Sequence, residues 1–270
     1  MNRKDLEQHI INRVSCLCIG LDSDFTKIPD HLTADHTGVL QFNKEIIDAT
    51  RELCVAYKLN SAFYEVLGPE GWSVMKETIE YIGSEHFIIA DAKRGDIGNT
   101  AIQYAITFFD HLGADAITLS PYMGGDSLSP FLAYDDKWSI ILALTSNPGS
   151  SDFQWQQSNG KYLYEHVTET VKEIGSPENT MFVVGGTRKE DLEAMRAICP
   201  KHFFLVPGVG KQGGTVASVM QAGSDESNSY GLLINSSRSI IFSSSGKDFA
   251  EAAKASAKEL QLQMSEFIKE

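Results

Sequence analysis

Three charged residues follow one apolar run of the chain at a spacing that could support acid–base chemistry. The run 87–90 has the character of a buried strand, and Asp91, Lys93 and Asp96 come after it. Because side chains alternate along a strand, Asp91 and Lys93 should project to the same side, with Asp96 in the turn beyond. A solvated loop with an incidental salt bridge is the alternative. The position at a strand end favours chemistry, since α/β folds place active sites there.

The apolar stretches around these charges predict a (β/α)8 barrel. Eight of them alternate with helical patterns, and no linker or change in composition divides the chain. The predicted strands are 15–22, 55–60, 87–90, 116–122, 138–145, 181–185, 203–207 and 231–238. The predicted helices are 4–14, 38–53, 69–82, 102–111, 128–133, 162–174, 189–198 and 247–268. We therefore expect a single barrel domain over residues 1–270, with a capping helix within residues 1–14.

A closed barrel would gather side chains that lie far apart in the sequence. The C-terminal ends of all strands share one face, which should bring Asp22, Lys58, Asp91, Lys93 and Asp96 together. In such an alternating set, each carboxylate favours the charged form of the neighbouring ammonium. Taken alone, Lys58 could equally be a surface lysine at the end of a strand, but its position next to the third strand favours a role in the site.

A glycine-rich segment and an arginine predict phosphate binding at the ends of strands seven and eight. Segment 208–213 fits the pattern GxGxxG, but it comes too late in the chain for the first βαβ unit of a dinucleotide-binding fold. Its glycines would let backbone N–H groups approach a phosphate, and Arg238 ends the predicted eighth strand. Gln212 and Arg238 are therefore the candidate phosphate ligands. The alternative is a tight turn beside a surface arginine.

Composition limits the possible partners and compartments. Hydrophobic residues make up 42% of the chain and charged residues 22%, as in ordinary globular proteins. A net charge of -13 argues against binding to nucleic acid or to an anionic membrane. The chain has no run of 18 apolar residues and no signal-peptide core, so we expect a cytoplasmic protein. Its cysteines lack CxxC spacing, which favours reduced core thiols over disulfides or a zinc site.

Several separated blocks of the sequence resemble the orotidine 5'-phosphate decarboxylase family, in its longer bacterial-type branch. The signature lies in segment 91–100, DAKRGDIGNT. The other blocks are 58–65 (KLNSAFYE), 145–149 (TSNPG), 206–214 (VPGVGKQGG) and 235–239 (NSSRS). The similarity extends from about residue 16 to the final helix, whereas the DxKxxD pattern alone is shared with related sugar-phosphate decarboxylases and synthases. One departure is Leu59, which stands where a proline is common in this branch.

The resemblance implies a TIM barrel that uses no cofactor and no metal, and that converts orotidine 5'-phosphate to uridine 5'-monophosphate (UMP) as a homodimer. It implies that Lys58, Asp91 and Lys93 act within one subunit. Asp96 would complete the catalytic set from the other subunit, with Ile97 and Thr100 reaching the same site. The implied substrate contacts are Asp22 and Asn60 for the ribose, Ser146 for the pyrimidine, and Pro207, Gln212 and Arg238 for the phosphate.

Other functions remain open at this point. A magnesium-dependent decarboxylase of the 3-keto-gulonate-phosphate type would share the barrel and the DxKxxD block, but it should carry a carboxylate at the position of Lys58. A catalytically silent phosphate-binding barrel would bind a nucleotide without turning it over. An NAD-dependent oxidoreductase fits least well, because the glycine-rich segment follows the seventh strand.

Overall fold

The fold is a closed barrel of parallel strands, seen in a computed structural model that describes residues 1–210, 214–225 and 231–268. Each barrel strand pairs with its neighbours in sequence, and the last pairs with the first. The prediction of a (β/α)8 barrel is confirmed. The barrel strands are β1 (Leu17–Gly20), β2 (Ala56–Asn60), β3 (Phe87–Arg94), β4 (Ala116–Leu119), β5 (Trp138–Leu144), β6 (Thr180–Val184), β7 (Phe203–Val206) and β8 (Leu232–Ser236).

Helices surround the barrel and bury their apolar faces against it. Helix Pro69–Ile82 buries Val74, Met75 and Ile79, which recur at helical spacing, and its proline occupies the first turn. Helix His36–Thr50 begins where Asp35 accepts hydrogen bonds from two backbone N–H groups. Within the described ranges, no helix has the length and apolar character needed to cross a bilayer. The other α-helices are Arg3–Arg13, Ala62–Glu65, Gly98–Ala105, Ser129–Leu132, Ser150–Phe153, Leu163–Ile174, Lys189–Ile198, Val216–Gly223, Arg238–Ile241 and Phe249–Ser265, with a π-helix at Ile106–His111 and a 3-10 turn at Gly125–Ser127.

Large aromatic side chains close the interior of the barrel near the N-terminal ends of the strands. Phe87, Trp138 and Phe203 are the first residues of β3, β5 and β7, and all three are buried. Their rings pack edge to face, with centroids 5.9 and 6.0 Å apart. Such a layer from alternate strands is typical of this fold. Each of these side chains contributes about 1.5–3 kcal/mol through burial.

The N-terminal end of the barrel also contains two buried arginines. The Arg3 guanidinium donates hydrogen bonds to the carbonyls of Pro177 and Lys201 and pairs with Asp225 at 3.5 Å. The Arg196 guanidinium carbon lies 3.8 Å from the centroid of the Phe204 ring. Arg196 also donates hydrogen bonds to backbone carbonyls, including those of Cys199, His202, Gly223 and Gly231. These contacts join the loops at this end of the barrel to one another.

The structure differs from the sequence-based expectations most clearly in β3, around the last two strands and in segment 149–160. β3 continues to Arg94 instead of ending at residue 90, because a register shift against β4 accommodates the extra residues. Helix Val216–Gly223 was not predicted, and β8 ends at Ser236, so Arg238 begins a short helix instead of ending a strand. Segment 149–160, which belongs to none of the predicted helices or strands, contains a short helix and one strand of a hairpin that pairs Gln157–Ser158 with Lys161–Tyr162.

Candidate active site

Four charged side chains meet at the C-terminal ends of β1, β2 and β3. The Lys58 Nζ atom lies 3.2 Å from Asp22 Oδ1 and 2.9 Å from Asp91 Oδ2. The other carboxylate oxygen of Asp91, Oδ1, lies 2.6 Å from Lys93 Nζ. The order Asp22, Lys58, Asp91, Lys93 is therefore a continuous chain in which opposite charges alternate. The structure brings these four predicted residues together.

Strand register explains why these groups meet, and their exposure differs. Lys58 is paired with Gly20 on β1 and with Ile89 on β3, so Asp22 and Asp91 each come two residues after one of its register partners. The Lys58 side chain is 6% exposed and that of Asp91 is 10% exposed, whereas that of Lys93 is 47% exposed. Lys58 and Asp91 thus lie in the buried wall of the barrel, and Lys93 presents an ammonium group at its open end.

The carboxylates control the charge state of the buried part of this chain. Burial alone lowers the pKa of Lys58, but the Asp91 and Asp22 carboxylates outweigh it and raise that pKa above its ordinary value. Burial raises the pKa of Asp91, but Lys58 and Lys93 outweigh it and lower that pKa to about 2. Lys58 and Asp91 are consequently an ion pair at neutral pH.

A threonine on β4 touches both Asp91 and Lys93. The Thr118 hydroxyl donates to Asp91 Oδ1 at 2.9 Å, and its oxygen accepts the backbone N–H of Lys93 at 2.9 Å. Lys93 has a φ of +48°, in the left-handed region that residues with a side chain seldom adopt. The sequence analysis did not single out Thr118, because its partners depend on the shifted register of β3 and β4.

Asp96 lies apart from the chain of charges, contrary to the expectation that it would join the other four. Its carboxylate accepts the backbone N–H of Ile97 at 2.8 Å, and no ion pair links it to Lys93 within the described residues. The extension of β3 to Arg94 carries the following turn, and Asp96 with it, beyond the end of the strand. Ile97 and Thr100 are exposed at the start of the next helix. Asn60, at the end of β2, is half-buried and accepts the backbone N–H of Ala62.

The candidate phosphate ligands belong to neighbouring loops after β7 and β8. Pro207 directly follows β7, and its carbonyl accepts the backbone N–H of Gly186 at 3.0 Å. Arg238 is exposed, and within the described residues its side chain makes no hydrogen bond or ion pair. A Cβ on Gly210 would lie 3.6 Å from Ser239 Oγ, so the two loops are adjacent. Gln212 lies outside the described residues.

Ser146 is exposed just beyond β5, on the same face of the barrel. A Cβ on Gly185, at the end of β6, would lie 2.7 Å from the Cβ of Ser146, so the glycine leaves the space that Ser146 occupies. The preceding residue, Thr145, is held by Gln154 through two hydrogen bonds of 2.8 Å, one to its backbone N–H and one to its hydroxyl. Within the described residues, no group of three or more His, Cys, Asp or Glu side chains is arranged to hold a metal ion.

Comparison with known proteins agrees with the sequence resemblance. The model of the orotidine 5'-phosphate decarboxylase / HUMPS family matches residues 15–255. The chain is 50% identical to the orotidine 5'-phosphate decarboxylase of Bacteroides fragilis, over 100% of this chain and 99% of that protein. It is 51% identical to that of Christiangramia forsetii, over 98% and 97%. The solved structure of Leishmania donovani OMP decarboxylase has a TM-score of 0.82 and 38% identity, covering 98% of this chain and 99% of that one. The resemblance is confirmed, and the chain belongs to the orotidine 5'-phosphate decarboxylase / HUMPS family.

Proposed function

We propose that this chain removes CO₂ from orotidine 5'-phosphate to give UMP, the last step of de novo pyrimidine synthesis, without a cofactor. Relatives that are half identical along their whole length carry the name of this enzyme. The observation that carries the proposal is the alternating chain of Asp22, Lys58, Asp91 and Lys93, which ends in an ammonium at the open end of the barrel.

Decarboxylation at C6 of the pyrimidine needs a positive charge beside that carbon. When the bond to the carboxylate breaks, its electron pair stays on a ring carbon that has no adjacent carbonyl to delocalise it. A preorganised cation stabilises such developing charge most effectively where water is excluded. Lys93 stabilises the electron pair and then transfers a proton from Nζ to C6, and water returns a proton to Nζ after UMP leaves.

The other members of the chain of charges hold Lys93 in place. Asp91 contacts Lys93 Nζ through one oxygen and Lys58 Nζ through the other, so its carboxylate fixes both ammonium groups. Lys58 stands, paired with two carboxylates, where a magnesium-dependent relative would carry an acid. Phosphate binding far from C6 would hold the ring against Lys93. The proposed substrate contacts are Asp22 and Asn60 for the ribose, Ser146 for the pyrimidine, and Pro207, Gln212 and Arg238 for the phosphate.

We also propose that the enzyme works as a homodimer in which Asp96, Ile97 and Thr100 complete the site of the partner. Asp96 does not pair with Lys93 of its own chain within the described residues. An exposed apolar surface beside it suits contact with a second copy. Its side chains are Ile97, Ile102 and Ile106, which are 53%, 44% and 39% exposed.

A cytoplasmic location without nucleic-acid or membrane partners fits this proposal. The acidic surface disfavours both kinds of partner, since the net charge of the chain is -13. The reducing conditions of the cytoplasm keep thiols free. The cysteines of the chain, all free and buried, are Cys16, Cys18, Cys54 and Cys199.

An assay in EDTA that follows the loss of orotidine 5'-phosphate absorbance tests the reaction. Lys93→Ala is compared with Lys189→Ala, because Lys189 is also ion-paired and its side chain is 49% exposed. We expect wild type and Lys189→Ala to turn over equally, and Lys93→Ala to lose roughly 10⁴-fold in kcat. An inert wild type would contradict the reaction, and near-normal turnover by Lys93→Ala would contradict the role of Lys93.

Mixing two inactive variants tests the shared site. Lys93→Ala and Asp96→Ala are each expected to be inactive as homodimers. After dissociation and reassociation together, about half of the dimers are heterodimers with one intact site of two, so about a quarter of wild-type turnover should return. The absence of any recovery, with heterodimers shown to form, would place Asp96 outside the partner's site.

A further inference from the structure

The junction between β3 and β4 contains an irregularity at the site. Ala90 pairs with Ile117 and Arg94 pairs with Leu119, so β3 advances by four residues where β4 advances by two. Thr118 is the single residue of β4 that faces this longer part of β3. The ladder of backbone hydrogen bonds is interrupted there, and bulges of this kind re-aim side chains next to active sites.

The Thr118 side chain takes the place of the missing backbone partner. Its oxygen accepts the Lys93 N–H at 2.9 Å, and its hydroxyl donates to Asp91 Oδ1 at 2.9 Å. That same Asp91 oxygen receives the Lys93 ammonium at 2.6 Å. One hydroxyl therefore touches Lys93 at its backbone and the carboxylate that holds Lys93 at its tip.

We propose that Thr118 is a positioning residue that sets where the Lys93 ammonium stands. A lysine side chain has four rotatable bonds, and that of Lys93 is 47% exposed, so packing alone does not fix it. The Thr118 hydroxyl holds the backbone of Lys93 at its positive φ and turns Asp91 so that Oδ1 faces Lys93 and Oδ2 faces Lys58. Thr118 acts through Lys93, so its effect on turnover rests on the proposed function.

Only a hydroxyl fills this role. Valine has the shape of threonine but can neither accept the Lys93 N–H nor donate to Asp91. Thr118 is buried, so water is poorly placed to replace the lost contacts. Serine keeps the hydroxyl and loses only the methyl group.

The test compares Thr118→Val with Thr118→Ser in steady-state kinetics. Thr118→Val should lower kcat by roughly 10- to 100-fold, because both lost hydrogen bonds involve groups that fix the reacting ammonium. Its KM should stay within about threefold of wild type, since the proposed phosphate contacts lie on other strands. Thr118→Ser should restore kcat to within about threefold of wild type.

Thr180→Val provides a matched control. Thr180 is equally buried, at the start of β6, and its hydroxyl contacts Ser176 and Asn179 away from the site. It should lose thermal stability as Thr118→Val does, while its kcat stays at the wild-type value. Unchanged kcat in Thr118→Val, or equal losses of kcat in Thr118→Val and Thr118→Ser, would overturn the proposal.

A crystal structure of Thr118→Val separates this proposal from the proposed reaction. We expect Lys93 to leave its positive φ and its Nζ to move beyond hydrogen-bond distance of Asp91 Oδ1. A variant in which both features persist would overturn the positioning role, whatever the assay shows. An inert wild-type enzyme would contradict the reaction alone, and the geometry of Lys93 in the variant would still decide the role of Thr118.

Discussion

Both ends of the barrel bury cations, but Arg196 at one end and Lys58 at the other are satisfied by different partners. At the N-terminal end, Arg196 donates hydrogen bonds to backbone carbonyls such as those of Gly223 and His202. At the C-terminal end, Lys58 pairs with carboxylates, and Lys93 keeps half of its side chain exposed beside one of them. Because the carbonyls belong to the backbone of separate loops, Arg196 ties those loops together. The carboxylates balance the positive charge of the lysines, and the Lys93 ammonium remains accessible to a ligand.

The pKa values of the two buried cations shift in opposite directions because their charged partners differ. Burial lowers the pKa of Arg196 to about 10, and the charge of Asp225 opposes this only in part. Burial also disfavours the charged form of Lys58, but two carboxylates in contact with it reverse the shift and raise its pKa. A buried cation is therefore not in itself a sign of chemistry. The partners and the remaining exposure distinguish a structural tie from a reactive group.

Of the variants that test this comparison, Lys58→Met should have the largest effect, and that effect is on kcat. The change keeps most of the volume but leaves Asp91 and Asp22 without their shared ammonium. We expect kcat to fall by roughly 10²- to 10⁴-fold, equivalent to about 3–5 kcal/mol for an uncompensated buried charge. Steady-state kinetics on the folded variant measures this loss. A kcat close to wild type would show that the buried lysine is dispensable for turnover.

Arg196→Met makes the same substitution at the opposite end. It removes a guanidinium that donates to several buried carbonyls and packs on the Phe204 ring. The free energy of unfolding should fall by about 3 kcal/mol, because those carbonyls lose their partner. Urea denaturation measures that change, while kcat at low temperature should stay within about twofold of wild type. A large loss of kcat with unchanged stability would contradict the view that Arg196 has a structural role and Lys58 a role in turnover.

Acid should weaken the two ends in separate pH windows. Burial lowers the pKa of His202, at the N-terminal end, from 6.5 to about 4. The unfolded chain binds that proton more readily than the folded chain. The folded state therefore keeps its full free energy of unfolding above pH 6.5 and loses at most about 3 kcal/mol of it through His202 as the pH falls towards 4. The pKa of Asp91 is lowered to about 2, since its two lysines outweigh burial. Its contribution, about 2 kcal/mol, is present above pH 4 and is lost as pH falls through 2.

Unfolding by urea at a series of pH values checks both windows. His202→Phe should reduce the dependence between pH 6.5 and 4, and His9, whose pKa burial also lowers to about 4, should account for part of what remains. Asp91→Asn should reduce the dependence below pH 4 and leave the upper window unchanged. If His202→Phe kept the wild-type slope in the upper window, another group would have to be responsible for it.

The smallest effect is expected from the uncharged polar network behind Asp22. The Ser23 hydroxyl donates to Asn43 Oδ1 at 2.5 Å, the Asn43 amide donates to the Tyr64 hydroxyl at 3.1 Å, and Tyr64 donates to the Leu21 carbonyl at 3.1 Å. Tyr64→Phe should lower the free energy of unfolding by about 1 kcal/mol with little change in kcat. Thermal denaturation and kinetics measure the two quantities. A tenfold loss of kcat would instead show that the network positions Asp22.

The sequence was sufficient to predict the barrel and the charges at the ends of its first three strands. Asp22, Lys58 and Asp91 stand at or near the ends of apolar runs, which indicates where the strands end. Closure of the barrel then brings those ends together. The expectation that Asp96 would join the other four charges within its own subunit was wrong, because β3 continues past its apolar run. Thr118 depends on a register shift between two strands, which neither strand shows alone.

Contacts at the other end of the barrel were equally hidden. Arg196 has the spacing of an ordinary residue in an amphipathic helix, and its carbonyl partners come from distant loops. Helix Val216–Gly223 was missed because it follows a glycine-rich segment and is only eight residues long. Every residue has a backbone carbonyl, so the residue types do not indicate which carbonyls accept hydrogen bonds from Arg196. These contacts are visible only in the folded chain.

The mismatch between β3 and β4 limits how this chain can change in length. Insertions and deletions in barrels are tolerated mainly in surface loops, where the backbone is free to adjust. Between Ala90 and Arg94 the loss of one residue would exchange inward-facing and outward-facing side chains. Genetic variants that change the length of the surface loops should therefore survive more often than variants that shorten or lengthen this part of β3.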